Sequence, residues 1–132
     1  MSKDDAARLM ATQANKLAWH ASAARHLAGA RWAELQTEVT QTGFFCLDDT
    51  LKYALQSLDL KEKSAVQVFC NNGRETLSLA ALGVRNCLGI DQSEVFIAQA
   101  NALPTLAKSD CTFLCSDIYR LPTRFAVILT PP

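Results

Sequence analysis

The sequence predicts an α/β fold: a three-layer sandwich around a parallel sheet of about four strands, with helices leading into it. Two observations predict it. From residue 61 onward, short runs of apolar and β-branched residues alternate with segments of helical periodicity, the order that parallel strands joined by crossover helices impose. The first 60 residues carry helical periodicity alone, which places one helical segment at 1–60 and the sheet-bearing unit at 61–132.

In order, the stretch from Asp4 to about Ala28 is rich in alanine. Met10, Ala14, Leu17, Ala21 and Ala24 recur there at helical spacing, which predicts a long helix with a narrow face of small residues, stopped at Gly29. Trp32, Leu35 and Val39 continue a helical stripe that Gln41 to Gly43 closes. Leu51, Leu55 and Leu58 share a face of a third helix, with Asp48 or Asp49 as its N-cap. After the charged turn Lys61-Glu62-Lys63, residues 65–70 read as a strand and 74–82 as a helix ended by Gly83. Residues 86–91 form a second strand, and 93–103 a helix capped by Ser93 and ended before Pro104. Residues 111–115 and 125–129 are the third and fourth strands.

Composition narrows the function. The 132 residues suit one domain, and 13 Lys and Arg balance 13 Asp and Glu, so no net field draws the chain to nucleic acid or to an anionic membrane. The N-terminal "MSKDDAARLM" lacks the apolar core of a signal peptide, and no apolar run is long enough to span a bilayer, so the reading is a soluble, cytoplasmic protein. The five cysteines are scattered and form no CxxC pair, which argues against a disulfide framework and a zinc knuckle. His20 and His26 fall on different helix faces and make no metal pair. Trp19 and Trp32 read as packing anchors.

Chemistry concentrates where strands pass into helices, because ligands of open parallel sheets sit beyond the carboxyl ends of the strands. After the first strand comes Cys70-Asn71-Asn72-Gly73-Arg74. Gly73 permits a positive φ and asparagine tolerates one, so a tight turn with exposed amides is expected, facing an anionic group such as a carboxylate at the N-terminus of the next helix. The second strand ends in "LGID", with Asp91 placed to accept hydrogen bonds from both hydroxyls of a ribose. The third ends in "CSDIY", where Ser116 and Asp117 flank the same cleft and an acidic group can accept from an adenine amino group.

The run from about Ala65 to Pro132 resembles the first half of a class I S-adenosylmethionine-dependent methyltransferase, a Rossmann-like fold. "VQVFCNNGRETLSLA" is similar to its motif I, "GIDQS" to motif II and "FLCSDIY" to the motif III region. "AWHASAARHLAGARWAEL" and "GFFCLDDT" resemble the helical lead-in of a bacterial subgroup in which "CNNGRE" replaces the glycine-rich turn. The resemblance implies S-adenosylmethionine as cofactor. Cys70, Asn71 and Gly73 would lie along its methionine part, Asp91 would hold the ribose, Gln92 would flank the adenine, and Asp117 with Ile118 would frame the base. The leading helices would serve as a lid or cap, with His20, Arg25 or Trp32 over the cofactor. Gln67 and Phe69 stand where many members have an acidic residue and the first glycine. Catalytic residues and the methyl acceptor are not implied.

Such enzymes carry seven strands in the order 3-2-1-4-5-7-6, and this sequence supplies four, so the reading is a cofactor half, truncated from a longer product or covered by another chain. A fourth strand left at the sheet edge is expected to make the chain self-associate near residues 125–130. The alternatives are a catalytically inactive module acting through self-association or a partner chain, and an NAD-dependent oxidoreductase. The last lacks its GxGxxG.

Overall fold

The structure, a computed structural model, describes residues 1–121, at positions 24 and 26–28 by the backbone alone. Three helices come first: α1 (Lys3–Ala28), α2 (Ala30–Glu38) and α3 (Asp49–Gln56). Then follow β1 (Ser64–Val68), α4 (Arg74–Ala80), β2 (Asn86–Asp91), α5 (Glu94–Ala107), β3 (Thr112–Cys115) and a 3-10 turn, Ile118–Arg120. The strands form one sheet in the order β1-β2-β3 with both pairs parallel, which is the α/β class the alternation predicts. The predicted fourth strand, 125–129, lies outside the described residues.

Local chemistry accounts for the boundaries. Asp4 and Asp5 sit in the first turn of α1, where negative charge meets the positive end of the helix dipole. Gly29 breaks the long helix in an extended conformation (φ −94°, ψ 157°) and starts α2. Of the two candidate caps of α3, Asp48 is the one used: it accepts the Leu51 amide at 2.8 Å. The Trp32, Leu35, Val39 stripe faces inward, whereas α3 buries no residue, leaves Leu51 exposed and ends at Gln56, before the exposed Leu58 that the spacing predicts on its face.

Two expectations on element length are corrected. β1 stops at Val68 rather than 70 because Phe69 takes a left-handed φ of +59°, which ends the extended pairing. α5 does not end before Pro104 but runs through it to Ala107. Proline removes one helical N–H, yet Ala100 and Leu103 just before it are fully buried and hold the helix to the sheet. The helix closes four residues later, where Lys108 turns left-handed (φ 52°) and Ser109 donates its N–H to the Pro104 carbonyl at 2.9 Å.

Register places Ala65 and Gln67 of β1, Cys87 and Gly89 of β2 and Phe113 of β3 on one face of the sheet. α4 and α5 cover that face and touch each other, and α1 lies on α5. Leu35, Val39, Leu77, Val84, Cys87, Leu103 and Cys111 make the main core, with Trp32, Phe44 and Phe113 packed against it. Full burial of a side chain such as Leu103 contributes about 1.5–3 kcal/mol. The core thus fastens α2, α4 and α5 below the strand ends and leaves those ends open.

Candidate functional site

The carboxyl ends of β1, β2 and β3 come together at one edge, and each is followed by a short polar loop. In the first loop Phe69, Asn71 and Gly73 all have positive φ, at 59°, 54° and 84°, so left-handed residues alternate through the turn. Gly73 has a second reason to lack a side chain: a Cβ there would lie 2.6 Å from the Phe113 ring. Gly89 is under the same ring, also at 2.6 Å. One aromatic side chain therefore fills the space of two missing ones.

The amides of this turn are used internally. Cys70 donates to the Ile90 carbonyl at 3.0 Å and Gly73 to the Cys70 carbonyl at 3.0 Å. Asn72 donates to the Asn71 side-chain oxygen at 2.7 Å, and Asn71 donates to Asp91 Oδ2 at 2.9 Å. The expectation of amides offered to a ligand is corrected for residues 70–73, because Asp91 and the end of β2 take the amides of Cys70 and Asn71 and the turn itself takes those of Asn72 and Gly73. Below the turn, Gln67 explains its own identity: its amide nitrogen donates to Glu75 at 2.8 Å while its oxygen accepts from Thr76 at 2.6 Å. An acidic residue at 67 would repel Glu75 and lose that donor.

Asp91, half-buried, is the hub of the edge. Besides Asn71 it accepts the Ser93 amide on Oδ1 at 3.0 Å, and its own carbonyl accepts the Ser116 amide at 2.9 Å. All three loops are thus tied to one residue. Each carboxylate oxygen still has lone-pair capacity after one backbone bond. Asp117 caps the 3-10 turn by accepting the Tyr119 amide at 2.9 Å.

Two cavities flank the turn. The first, about 240 Å³, is lined by Phe69, Ile90, Asp91, Gln92 and Ser116, by Asp117, Ile118 and Tyr119, and across from them by Arg8, Ala11, Thr12 and Asn15 of α1. The second, about 350 Å³, is lined by Cys70, Asn71, Asn72, Arg74 and Glu75, by Arg31, Trp32, Leu35 and Glu38 of α2, and by Gln99. Gln99 is 2% exposed and its side-chain oxygen has no hydrogen-bond partner among the described residues, while its nitrogen donates to the Ala23 carbonyl at 3.4 Å. A larger cavity of about 540 Å³ opens at the other end of the sheet, beside Cys87 and Cys111, away from these convergent polar groups.

Of the seven residues the sequence singles out, Asp91, Gln92, Asp117 and Ile118 thus meet in the smaller cavity, Cys70 and Asn71 in the larger of the two, and Gly73 lines neither. Sequence reasoning missed Arg8, Thr12 and Asn15, although their i, i+4, i+7 spacing is a polar stripe on a helix, and it missed Gln99, which carries no motif. Trp32 lines a cavity as a lid residue would, whereas His20 and Arg25 line neither. His20 Nε2 instead sits 2.8 Å from Glu94, beside the Lys16–Glu94 ion pair that clamps α1 to α5. The Lys16 ammonium holds the Glu94 carboxyl below its ordinary range. The Trp19 and Phe96 rings meet edge-on at 6.0 Å, and Arg8 lies over the Tyr119 ring at 4.9 Å.

No thiolate is offered at this edge. Burial, and then the negative charge of Asp91, push the Cys70 thiol from its ordinary 9.0 to about 12, so it is neutral and a poor nucleophile near pH 7. Burial and the neighbouring Glu94 likewise raise Cys115. Among the described residues no group of His, Cys, Asp and Glu side chains is arranged to hold a metal ion, and no helix is long and apolar enough to cross a membrane.

No protein-family model matches the chain. Over 51 residues it is 39% identical to the tRNA U34 carboxymethyltransferase of Aliivibrio salmonicida (strain LFI1238), a match covering 39% of this chain and 16% of that protein. Among solved structures it is similar to the plantazolicin methyltransferase BpumL in complex with a triazolic desmethylPZN analog and SAH, at 17% identity and a TM-score of 0.48 over 92% of this chain and 45% of that one. A structure concerned with conversion of a disulfide bond into a thioacetal group during echinomycin biosynthesis matches at 25% identity and a TM-score of 0.44, over 51% of this chain and 28% of that one. Two of the three are named as methyl- or carboxymethyltransferases. The chain spans under half the length of each.

Proposed function

We propose that the chain is the cofactor-binding half of an S-adenosylmethionine-dependent methyltransferase. The observation that carries this reading is Asp91, which ends the central strand, lines the smaller cavity and retains acceptor capacity beside Gln92 and Asp117. A nucleoside fits such a donor set: a carboxylate for vicinal ribose hydroxyls, then an acidic and an apolar residue, Asp117 and Ile118, framing a flat base. The amino-acid end fits the larger of the two flanking cavities, where Gln99 supplies a buried acceptor without a partner among the described residues and Arg31 and Arg74 supply cations for a carboxylate. The partial sequence match to a carboxymethyltransferase supports the same class.

The bound sulfonium would supply the methyl group. What this chain's residues contribute is positioning: Asp91 fixes the nucleoside, the turn at 69–73 sets the spacing between the two cavities, and α1 and α2 wall off water. In-line transfer to a nucleophile depends chiefly on such alignment.

Calorimetric titration with S-adenosylhomocysteine, with NAD alongside, tests the proposal. Saturable binding of the former alone is expected. Asn15→Trp, which places a bulky ring in the mouth of the smaller cavity from an exposed helix position, is expected to weaken it at least tenfold while circular dichroism stays unchanged. A folded chain that binds neither ligand refutes the reading, and one that binds NAD alone replaces it with the oxidoreductase.

A further inference from the structure

α1 turns its polar side inward. The residues it presses against the domain are Leu9, Thr12, Lys16, His20 and Ala23, with Lys16 paired to Glu94 and His20 beside that pair. The opposite side carries Ala7, Met10, Ala14, Leu17 and Ala21, all exposed, with Met10 72% and Leu17 70% accessible. Their spacing is three, four, three, four, the a and d positions of a heptad seam, and the exposed Ala11 and Ala18 widen it at e. Neither charged residue between 7 and 21, Arg8 nor Lys16, falls on this seam. At 1.5 Å per residue it is about 21 Å long, an uninterrupted apolar strip of the kind that marks an interaction site.

We propose that this strip pairs with the same strip of a second copy, antiparallel, to form a symmetric dimer through α1. The side-chain sizes select both the occupant and the direction. Alanine occupies each a position, while the d positions hold Met10 and Leu17. In a parallel pair a faces a and d faces d, which sets alanine on alanine and large on large and leaves the layers uneven. In an antiparallel pair a faces d, so Met10 meets the partner's Ala21 and Ala14 meets the partner's Leu17. The four layers formed by residues 10, 14, 17 and 21 then each pair one large and one small residue, the arrangement that lets two helices approach closely.

Charge chooses the same register independently. With Met10 opposite the partner's Ala21, the e positions align so that Ala11 faces the partner's Ala18 and Asp4 faces the partner's Arg25. Asp4 and Arg25 are both exposed at opposite ends of α1. A parallel pair would set e positions against g positions and leave Asp4 and Arg25 at opposite ends of the dimer, out of reach of each other. The two-fold repeats each contact and closes the assembly at two copies. Because α1 also walls the smaller cavity through Arg8, Thr12 and Asn15, the dimer would brace that wall from outside. The inference does not rest on the cofactor assignment.

Sedimentation equilibrium of the chain from low to high micromolar concentration tests it. A mass rising from 14.4 kDa toward twice that value is expected, with a dissociation constant on the order of 10–100 µM for so small an interface. Leu17→Glu, at an exposed position, is expected to weaken the dimer at least tenfold without altering the helical signal. Asp4→Arg alone is expected to weaken it, and Asp4→Arg combined with Arg25→Asp to restore it. A chain that stays monomeric throughout overturns the proposal, as it would if another protein or a further segment of a longer chain covers the strip. A dimer that ignores Leu17→Glu also overturns it and moves the contact to another surface, such as the sequence at 125–130.

Discussion

Replacing Asp91 with alanine is expected to damage the fold before any ligand is involved. The carboxylate accepts the Asn71 amide at 2.9 Å and the Ser93 amide at 3.0 Å. A hydrogen bond to a charged acceptor contributes about 1.5–3 kcal/mol net, and a half-buried site lets water replace part of that, so losing both costs about 2–4 kcal/mol. Asp91→Asn keeps an oxygen for one amide but turns an NH₂ toward the other, and should lose about 1–2 kcal/mol. Urea unfolding followed by circular dichroism, with linear extrapolation for the wild type and both variants, measures the series. For a domain whose total stability is typically about 5–15 kcal/mol the ordering is easily resolved. If both variants lie within about 0.5 kcal/mol of the wild type, Asp91 is not the tie between the loops. The same series sets the conditions under which a loss of nucleoside binding in Asp91→Ala can be credited to a missing contact.

Two further outcomes follow from the same region. Gly73→Ala combines a left-handed φ of +84° with a Cβ 2.6 Å from the Phe113 ring and should cost about 2–5 kcal/mol, whereas Gly43→Ala, at φ +80° with nothing within 4 Å of its Cβ, should cost only about 1 kcal/mol; thermal unfolding of the pair measures the gap. The Cys70 thiol titrates near 12 in the fold against 9.0 when free, so the folded state holds its proton longer: its contribution is fully present below pH 9 and is lost as pH rises toward 12, at no more than about 1.4 kcal/mol per pH unit. Urea midpoints between pH 9 and 11 should therefore fall less steeply for Cys70→Ala than for the wild type, and parallel slopes would contradict the burial assigned to this thiol.

The first three strands, the crossover helices and their order were legible because apolar runs and helical periods alternate there; residues 86–91 became β2 without adjustment. Boundaries failed where tertiary contacts outweigh local preference. Pro104 reads as a stop, but buried neighbours on α5 carry the helix past it. Phe69 reads as strand, and its positive φ is set by the bonds of Cys70 and Asn71 to the end of β2, which no local pattern reveals. Asp91, Gln92, Asp117 and Ile118 were legible as one group because strand ends in a parallel sheet must meet. Gln99 was not, since a glutamine inside an apolar helix announces neither its burial nor its unpaired oxygen. The α1 stripe was visible as a period, but periodicity does not say which side of a helix faces the core, and the clamp of Lys16 on Glu94, with His20 beside it, decides it.

Phe69 is held in a left-handed conformation that costs a residue of its kind roughly 1–2 kcal/mol, Asn71 is held there at less cost, and Asp91 is what holds Asn71 there. The joint therefore behaves as a sprung catch with a single pawl. A hydroxyl that donates to the spare lone pairs of Asp91 draws on the same charge that holds the Asn71 amide, so an occupant of the smaller cavity would act on the turn that borders the larger one. Two halves of one ligand would then feel each other through that carboxylate, and substitutions at 69 or 71 that slacken the spring would alter how tightly each end is gripped without touching either.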